Sequence, residues 1–425
     1  MGQEKWDLRA CVDYAVQHNL TVNQSKIYYE LSTKELESAN KQWLPTVNAY
    51  LDNSLTIGSH HPLIDKAYQQ YSNSLGLSSS IAIYNGGLIE LNKERAELNV
   101  QANEMQTASI ANDISLMVVN NYLNVMLNRE LLQIAQGNLE VSEEQLNRAQ
   151  ILYDGGRISR ADLVQAEAAV AQEKKNVSDA QIEVERALFN LSTLLQLPDY
   201  RNFDVEDISL PDDLQFGVFD LDEILQIAYQ EQPNVKRAEL DVEIATKDID
   251  IAKTSLKPTI TGTYNLGTSY ADYFNKGLVN DAWLTQWYEN IANVFGISVQ
   301  IPIFDRHQTK LNVEKATINQ SLAQNLVEQE KQKLKENIQE AYFHATTSYD
   351  AYRAARESVR SSELSADFAQ RSFDAGVLNI YDLQIARNNL MIAKAQMAQA
   401  KFNFVFRLKV LDFYAGIPLT EGLGE

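Results

Sequence analysis

The residues after Pro45 run "TVNAYLDNSLTIG", Thr46 to Gly58. Val47, Ala49, Leu51, Leu55 and Ile57 alternate with Thr46, Asn48, Tyr50, Asp52, Ser54 and Thr56, and Asn53 is the one polar residue on the apolar side. A period of two sends the two sets to opposite faces of a β-strand. A second run sets Leu75, Leu77, Ile81 and Ile83 against Ser74, Gly76, Ser78 and Ser80, which predicts a hairpin within 45–85. The pattern returns as Ile260, Gly262, Tyr264, Leu266 and Tyr270, then as Ile291, Phe295, Ile297, Val299, Ile301 and Ile303, a second hairpin within 258–304.

Around the hairpins the period changes to that of helices. Asp7 to Asn19 predicts a short amphipathic helix, and Val22 to Trp43 a second one that Pro45 ends, since proline disfavours the helical conformation of the residue before it. After each second strand a long helical stretch follows, 86–152 and 308–373; the first, 67 residues, would span roughly 100 Å. Returning helices carry Leu163, Val170, Val177, Val184 and Leu191, then Leu383, Leu390, Met397, Phe404 and Leu411, every seventh residue, as in a coiled-coil seam. Each return leg is shorter than its outgoing one. The helix before the hairpin is expected to stack end to end on it and restore the length.

The chain writes this unit twice. "LYDGGRISRADL" at Leu152 is matched by "SFDAGVLNIYDL" at Ser372, an offset of 220, whereas "ELSTKELESANKQWLP" at Glu30 is matched by "EIATKDIDIAKTSLKP" at Glu243, an offset of 213. The difference places a seven-residue insertion between Pro258 and Phe304. The expected organisation is a first repeat over 1–198 with its tip at 152–162, an acidic equatorial linker over 199–219, a second repeat over 220–418 with its tip at 372–382, and a tail over 419–425.

Composition narrows the function. A net charge of −20 argues against nucleic acid, which needs clustered Lys and Arg. Cys11 is the lone cysteine, so an intrachain disulfide is excluded, and it reads as a small apolar residue on the first helix. No run of 18 apolar residues exists to form a membrane-spanning helix. The opening "MGQEKWDL" lacks the apolar core of a signal peptide and reads as Met-Gly joined to a mature chain. Adjacent His60 and His61 lack metal-site spacing, and no catalytic triad, HExxH or phosphate-loop pattern occurs, so neither enzyme activity nor a cofactor or metal is expected.

Two hairpins with one apolar and one hydroxyl-rich face are inverted for a soluble core and suit a membrane barrel, apolar toward lipid and polar toward the lumen. Val47, Leu51, Leu55, Leu77, Ile81, Ile260, Tyr264, Ile297, Val299 and Ile301 are the expected lipid-facing residues. Four strands cannot close alone, and unpaired edges in hydrocarbon cost several kcal/mol per group, so the barrel must be shared. Three chains give twelve strands and an aqueous lumen, whereas two give eight and a filled interior. The competing expectation is a soluble, elongated coiled-coil scaffold or adhesion protein.

The duplicated order of helix, hairpin, long helix, tip and returning helix, with the tip pattern aromatic-Asp-x-Gly-x5-Asp-Leu, resembles the TolC-like outer-membrane efflux proteins from Asp7 to Pro418. The resemblance implies a mainly α fold with membrane β: a twelve-stranded barrel shared by three protomers, continued by a long helical coiled-coil barrel across the bacterial periplasm. It also implies a passive duct for a tripartite pump or type I secretion system, carrying drugs, metals or proteins, with an inner-membrane pump and a periplasmic adaptor as partners. Gly156 and Gly376 supply the positive φ that closes a helix-to-helix turn. Gly156, Arg157, Ser159, Arg160 and Gly376 are the expected tip-turn and adaptor-facing residues. In this family the second repeat supplies the pore-constricting hairpin, which points to Asp382, with Phe373 and Asp374, as the gate. The alternative for Asp162 and Asp382 is that each complements the dipole of its own helix. A latch on residue 378 is excluded, because 377–381 is uncharged; Arg160 is the candidate instead.

Overall fold

Asp7 accepts a hydrogen bond from the Ala10 N–H at 2.6 Å and so starts helix α1, Leu8–His18. Asp220 does the same for the matching helix of the second repeat, accepting from the N–H groups of Asp222 and Glu223. The computed structural model describes residues 5–59, 67–208, 210, 211, 213–217, 219–274 and 281–419. His60 and His61, the first four residues and nearly all of the tail lie outside the described residues. The elements after α1 are α2 (Leu20–Asn40), β1 (Thr46–Gly58), β2 (Tyr68–Tyr84), α3 (Leu88–Asp154), α4 (Arg160–Leu195), α5 (Leu221–Glu231), α6 (Pro233–Thr254), β3 (Thr259–Tyr273), α7 (Trp283–Glu289), β4 (Ala292–Gln300), α8 (Gln308–Asp374) and α9 (Ile380–Tyr414). Both long helices, α3 and α8, have 67 residues.

The chain divides into two compact units that mix both repeats. The first comprises Met1–Ile27, Glu104–Arg237 and Val327–Glu425. Its core joins Leu8, Cys11 and Ala15 of α1 to Val118, Val119 and Tyr122 of α3, Leu191 and Leu195 of α4, and Phe402 and Val405 of α9. The heptad positions Leu163, Val170, Val184 and Leu191 are buried as the sequence predicts, and so are Leu383, Phe404 and Leu411. Short α1 ends where α4 ends. Asn19 Nδ2 donates to the Leu194 carbonyl and the Leu20 N–H donates to Gln196 Oε1, so α2 continues from the point where α4 stops.

The acidic segment after α4 is tied to this unit by specific bonds. Trp6 pairs with Val205 in a parallel bridge. The Tyr122 hydroxyl donates to the Glu206 carbonyl at 2.7 Å. The Arg129 guanidinium binds the Val205 carbonyl and the carboxylates of Asp204 and Asp207. Arg129 is mostly shielded, and an arginine placed against two carboxylates and a carbonyl fixes its neighbours more firmly than an exposed pair does.

The second unit comprises Tyr28–Asn103 and Ala238–Leu326. Its four strands form one antiparallel sheet in the order β1-β2-β3-β4, with β2 against β3 joining the hairpins. Ile301 lies just past the end of β4. Pro302 follows it and has no N–H to give the ladder, which accounts for the strand stopping at Gln300. Buried side chains of this unit are small, among them Ser32, Ala39, Ala102, Ala245 and Thr254, and among the described residues it holds no cluster of large buried apolar groups.

Candidate functional site

Cross-strand register makes each face of the sheet continuous. On one face Val47, Ser79, Tyr264 and Phe295 share a row, Ala49, Leu77 and Leu266 a second, and Ile81, Gly262 and Ile297 a third. On the other face the rows are Thr46, Ser80 and Thr263, then Asn48, Ser78 and Asn265, then Asp52, Ser74 and Ser269. Of the ten residues expected on the lipid side, Val47, Leu51, Leu55, Leu77, Ile81, Ile297, Val299 and Ile301 are exposed, and Ile260 and Tyr264 are half-buried. Ile297 is 74% exposed and Phe295 79%, values that an aqueous surface does not sustain over a contiguous face. Asn53 bonds to Asn73 and Tyr71, so polar side chains on this face pair with one another. On the polar face the Tyr50 ring lies over Gly76 and Gly267, and a Cβ at Gly267 would approach the Tyr50 hydroxyl to 3.0 Å.

The two tips are built alike. Gly156 and Gly376 have φ of +70° and +74°. The Arg157 N–H donates back to the Leu152 carbonyl and the Val377 N–H to the Ser372 carbonyl, so each outgoing helix ends in a Schellman turn. Phe373 is half-buried, and its carbonyl accepts from the Gly376 N–H. Beyond each glycine the acids differ. Asp162 forms a capping box, taking bonds from both the N–H and the hydroxyl of Ser159, and these hold its carboxyl below the usual range. At Asp382 only the N–H is engaged, by Asn379 Oδ1. The Asp382 carboxylate is exposed, with no bond found to it among the described residues. Arg160 stays within its own hairpin, 3.8 Å from Glu167 and 5.8 Å from the centre of the Tyr153 ring.

Links between the two hairpins join Asp374, singled out in the sequence, and residues that sequence reasoning did not single out. Arg148 on α3 lies 3.5 Å from Asp374 on α8. Arg387 on α9 donates to Gln370 on α8 within its own hairpin, and the link to the other hairpin is the Gln145 amide on α3, which lies against the same guanidinium. Burial, with the Arg148 charge nearby, pulls Arg387 below the ordinary arginine range. Between the hairpins lies an open groove of about 1300 Å³ lined by polar groups such as Asn138, Glu173, Glu363 and Lys394 and by apolar ones such as Val141, Ile385 and Met391. Arg148 and Arg387 escape notice in the sequence because isolated arginines on long charged helices carry no motif.

The pattern of the outer membrane efflux protein family matches residues 11–196 and 224–416. The chain belongs to that family. The matched segments start 213 residues apart and end 220 apart, the same two offsets as the internal repeat. Nodulation protein T of Rhizobium leguminosarum bv. trifolii is 22% identical over 422 residues, covering 96% of this chain and 85% of that protein. The outer membrane protein TolC of Escherichia coli K12 is 22% identical over 78% of this chain and 68% of its own length. Among solved structures, the channel CusC superposes with a TM-score of 0.79 at 18% identity, covering 97% of this chain and 92% of its own.

Outer membrane efflux proteins are transporters and not enzymes, and the outer membrane is where this chain resides. The soluble-scaffold expectation is thereby set aside. Among the described residues no group of His, Cys, Asp and Glu is arranged to hold a metal, and no helix is long and apolar enough to cross a membrane. Cys11 sits wholly inside the α1 core, where burial first and the Asp7 charge second push its thiol up to about 12. Maleimide should therefore leave the native protein unlabelled and modify one thiol per chain after unfolding, as mass spectrometry would show; labelling of the native protein would mean that α1 opens.

Proposed function

We propose that three copies of this chain form a passive exit duct for a tripartite export system. Each copy contributes four strands to a twelve-stranded barrel, and its helices to a periplasmic tunnel closed at the tips. The observation that carries this reading is the second unit itself, which exposes an apolar sheet face and, among the described residues, buries no large apolar side chain. Lipid covers the apolar face and neighbouring copies take the two sheet edges. The hydroxyl-rich face lines the lumen.

The tips at Gly156 and Gly376 are the ends that a periplasmic adaptor would read, with Arg157, Ser159 and Arg160 on the first-repeat hairpin, and an inner-membrane pump would supply the energy. Asp382, with Phe373 and Asp374 beside it, stands at the constriction. Its carboxylate, unlike that of Asp162, is not used up in a capping box, which suits a ring of three acids facing the passage. Negative charge focused in a narrow passage concentrates cations. Purified protein in planar bilayers should thus show cation-selective conductance that rises in Asp382→Ala. Anion preference would remove the charged-lumen reading, and an unchanged mutant would remove the gate at Asp382.

A further inference from the structure

Above Gly267 the third strand stays paired with β2 but, among the described residues, has no β partner on its other side. β4 pairs only with Thr259 to Gly267, and α7 stands against Thr268 to Ala271 instead. Gln286 substitutes for a strand: its side-chain oxygen accepts from the Ala271 N–H and its nitrogen donates to the Ala271 carbonyl, both at 3.0 Å. Asn290 Nδ2 donates to the Ser269 carbonyl and the Thr268 hydroxyl to the Trp287 carbonyl, each at 2.7 Å. The Ala271 N–H and carbonyl and the Ser269 carbonyl are backbone groups that a longer β4 would meet, so α7 protects an edge that would otherwise invite stray pairing. The helix lies within the window that carries the seven-residue insertion.

Its other side is apolar and bare. Leu284 and Tyr288 stand one turn apart, 60% and 75% exposed, and Ile291 follows at 53% just before β4 starts. This stripe continues the outer edge of β4, the edge that meets β1 of the next copy in the shared barrel. We infer that the stripe is covered by the upper end of that copy's β1, Leu55 to Gly58. The inference rests on the barrel reading above.

Strand lengths support it. β1 has 13 residues and β4 has 9. Setting Gln300 against Thr46 of the next copy pairs Val299 with Val47, Phe295 with Leu51 and Asn293 with Asn53, so apolar meets apolar and asparagine meets asparagine. It also brings Gly296 opposite Tyr50, the residue that already covers two glycines within its own chain. In this register β4 ends opposite Ser54. Leu55 to Gly58 then project beyond it by roughly 13 Å, against about 10 Å for the seven residues of α7. Leu55 and Ile57, 59% and 72% exposed, are the side chains offered to the helix.

Cysteine crosslinking of the full-length protein in membranes tests this against a silent background, since Cys11 is buried. The pair Tyr288→Cys with Ile57→Cys should give covalent dimers and trimers on denaturing gels that neither single variant gives. The pair Val299→Cys with Val47→Cys reports the β4 to β1 contact alone. If only the second pair crosslinks, the barrel register stands and the α7 contact is overturned; quenching of tryptophan fluorescence by brominated lipid would then assign the stripe to the lipid leaflet. If neither pair crosslinks, the register and the inference fall together.

Discussion

Leu77→Arg is expected to abolish assembly of the protein in the outer membrane, while Ser78→Arg, one residue away, leaves assembly intact. Leu77 is the tenth residue of the 17-residue β2, with Ala49 and Leu266 as its cross-strand neighbours. An arginine on the lipid face of a barrel costs about 2 to 4 kcal/mol near the bilayer midplane, or about 6 to 12 kcal/mol for three copies. That is comparable with the whole stability of a typical domain. Ser78 has Asn48 and Asn265 beside it on the other face, where an arginine stays hydrated. Its effect should fall on ion selectivity, shifting it toward anions. Heat-modifiable oligomer bands on gels and outer-membrane fractionation read the first outcome, and bilayer recordings the second. Equal loss of assembly in both variants would mean that neither face is wet.

The contrast between these adjacent residues is legible in the sequence because a strand in a membrane barrel has only two environments, and a period of two separates them. The same simplicity explains why helix lengths, heptad seams and tip glycines can be read in advance: each follows from local geometry repeated many times. Tertiary choices that involve single residues are different. Nothing in "DAWLTQWYEN" shows that Gln286 will stand in for a strand, since a glutamine amide that mimics a peptide group leaves no periodic trace. The two tip acids illustrate the boundary. Asp162 and Asp382 occupy the same place in the repeat, each in the first turn of its helix, yet only Asp162 closes a capping box, because Ser159 supplies both partners where Asn379 supplies one. The ties through Arg148 and Arg387 are of the same kind. They depend on which faces of helices more than 200 residues apart come together.

Those ties carry the second large effect. Exchanging Arg387 for alanine, alone and with Arg148→Glu, is expected to open the closed tip and raise conductance several-fold. The two arginines do not weigh equally. Arg148 and Asp374 are both more than half exposed at 3.5 Å, and such pairs contribute about 0 to 1 kcal/mol. Arg387 is more deeply placed, with the Gln145 amide of the other hairpin against its guanidinium, and a hydrogen bond to a charged group is worth about 1.5 to 3 kcal/mol. About 1.4 kcal/mol shifts an equilibrium tenfold, so losing the Arg387 bond in three copies moves the balance of closed and open tips much further than losing the Arg148 pair does. Arg148→Glu adds repulsion to Asp374, so the double variant should exceed the single one. Arg160→Ala is the control, because the Arg160 contacts found among the described residues, Glu167 and Tyr153, lie in its own hairpin, and it should leave conductance unchanged. Entry of large antibiotics into cells gives an independent readout that should follow the same order. A double variant with wild-type conductance would show that the tip is held shut by contacts between copies, not by these ties within one chain.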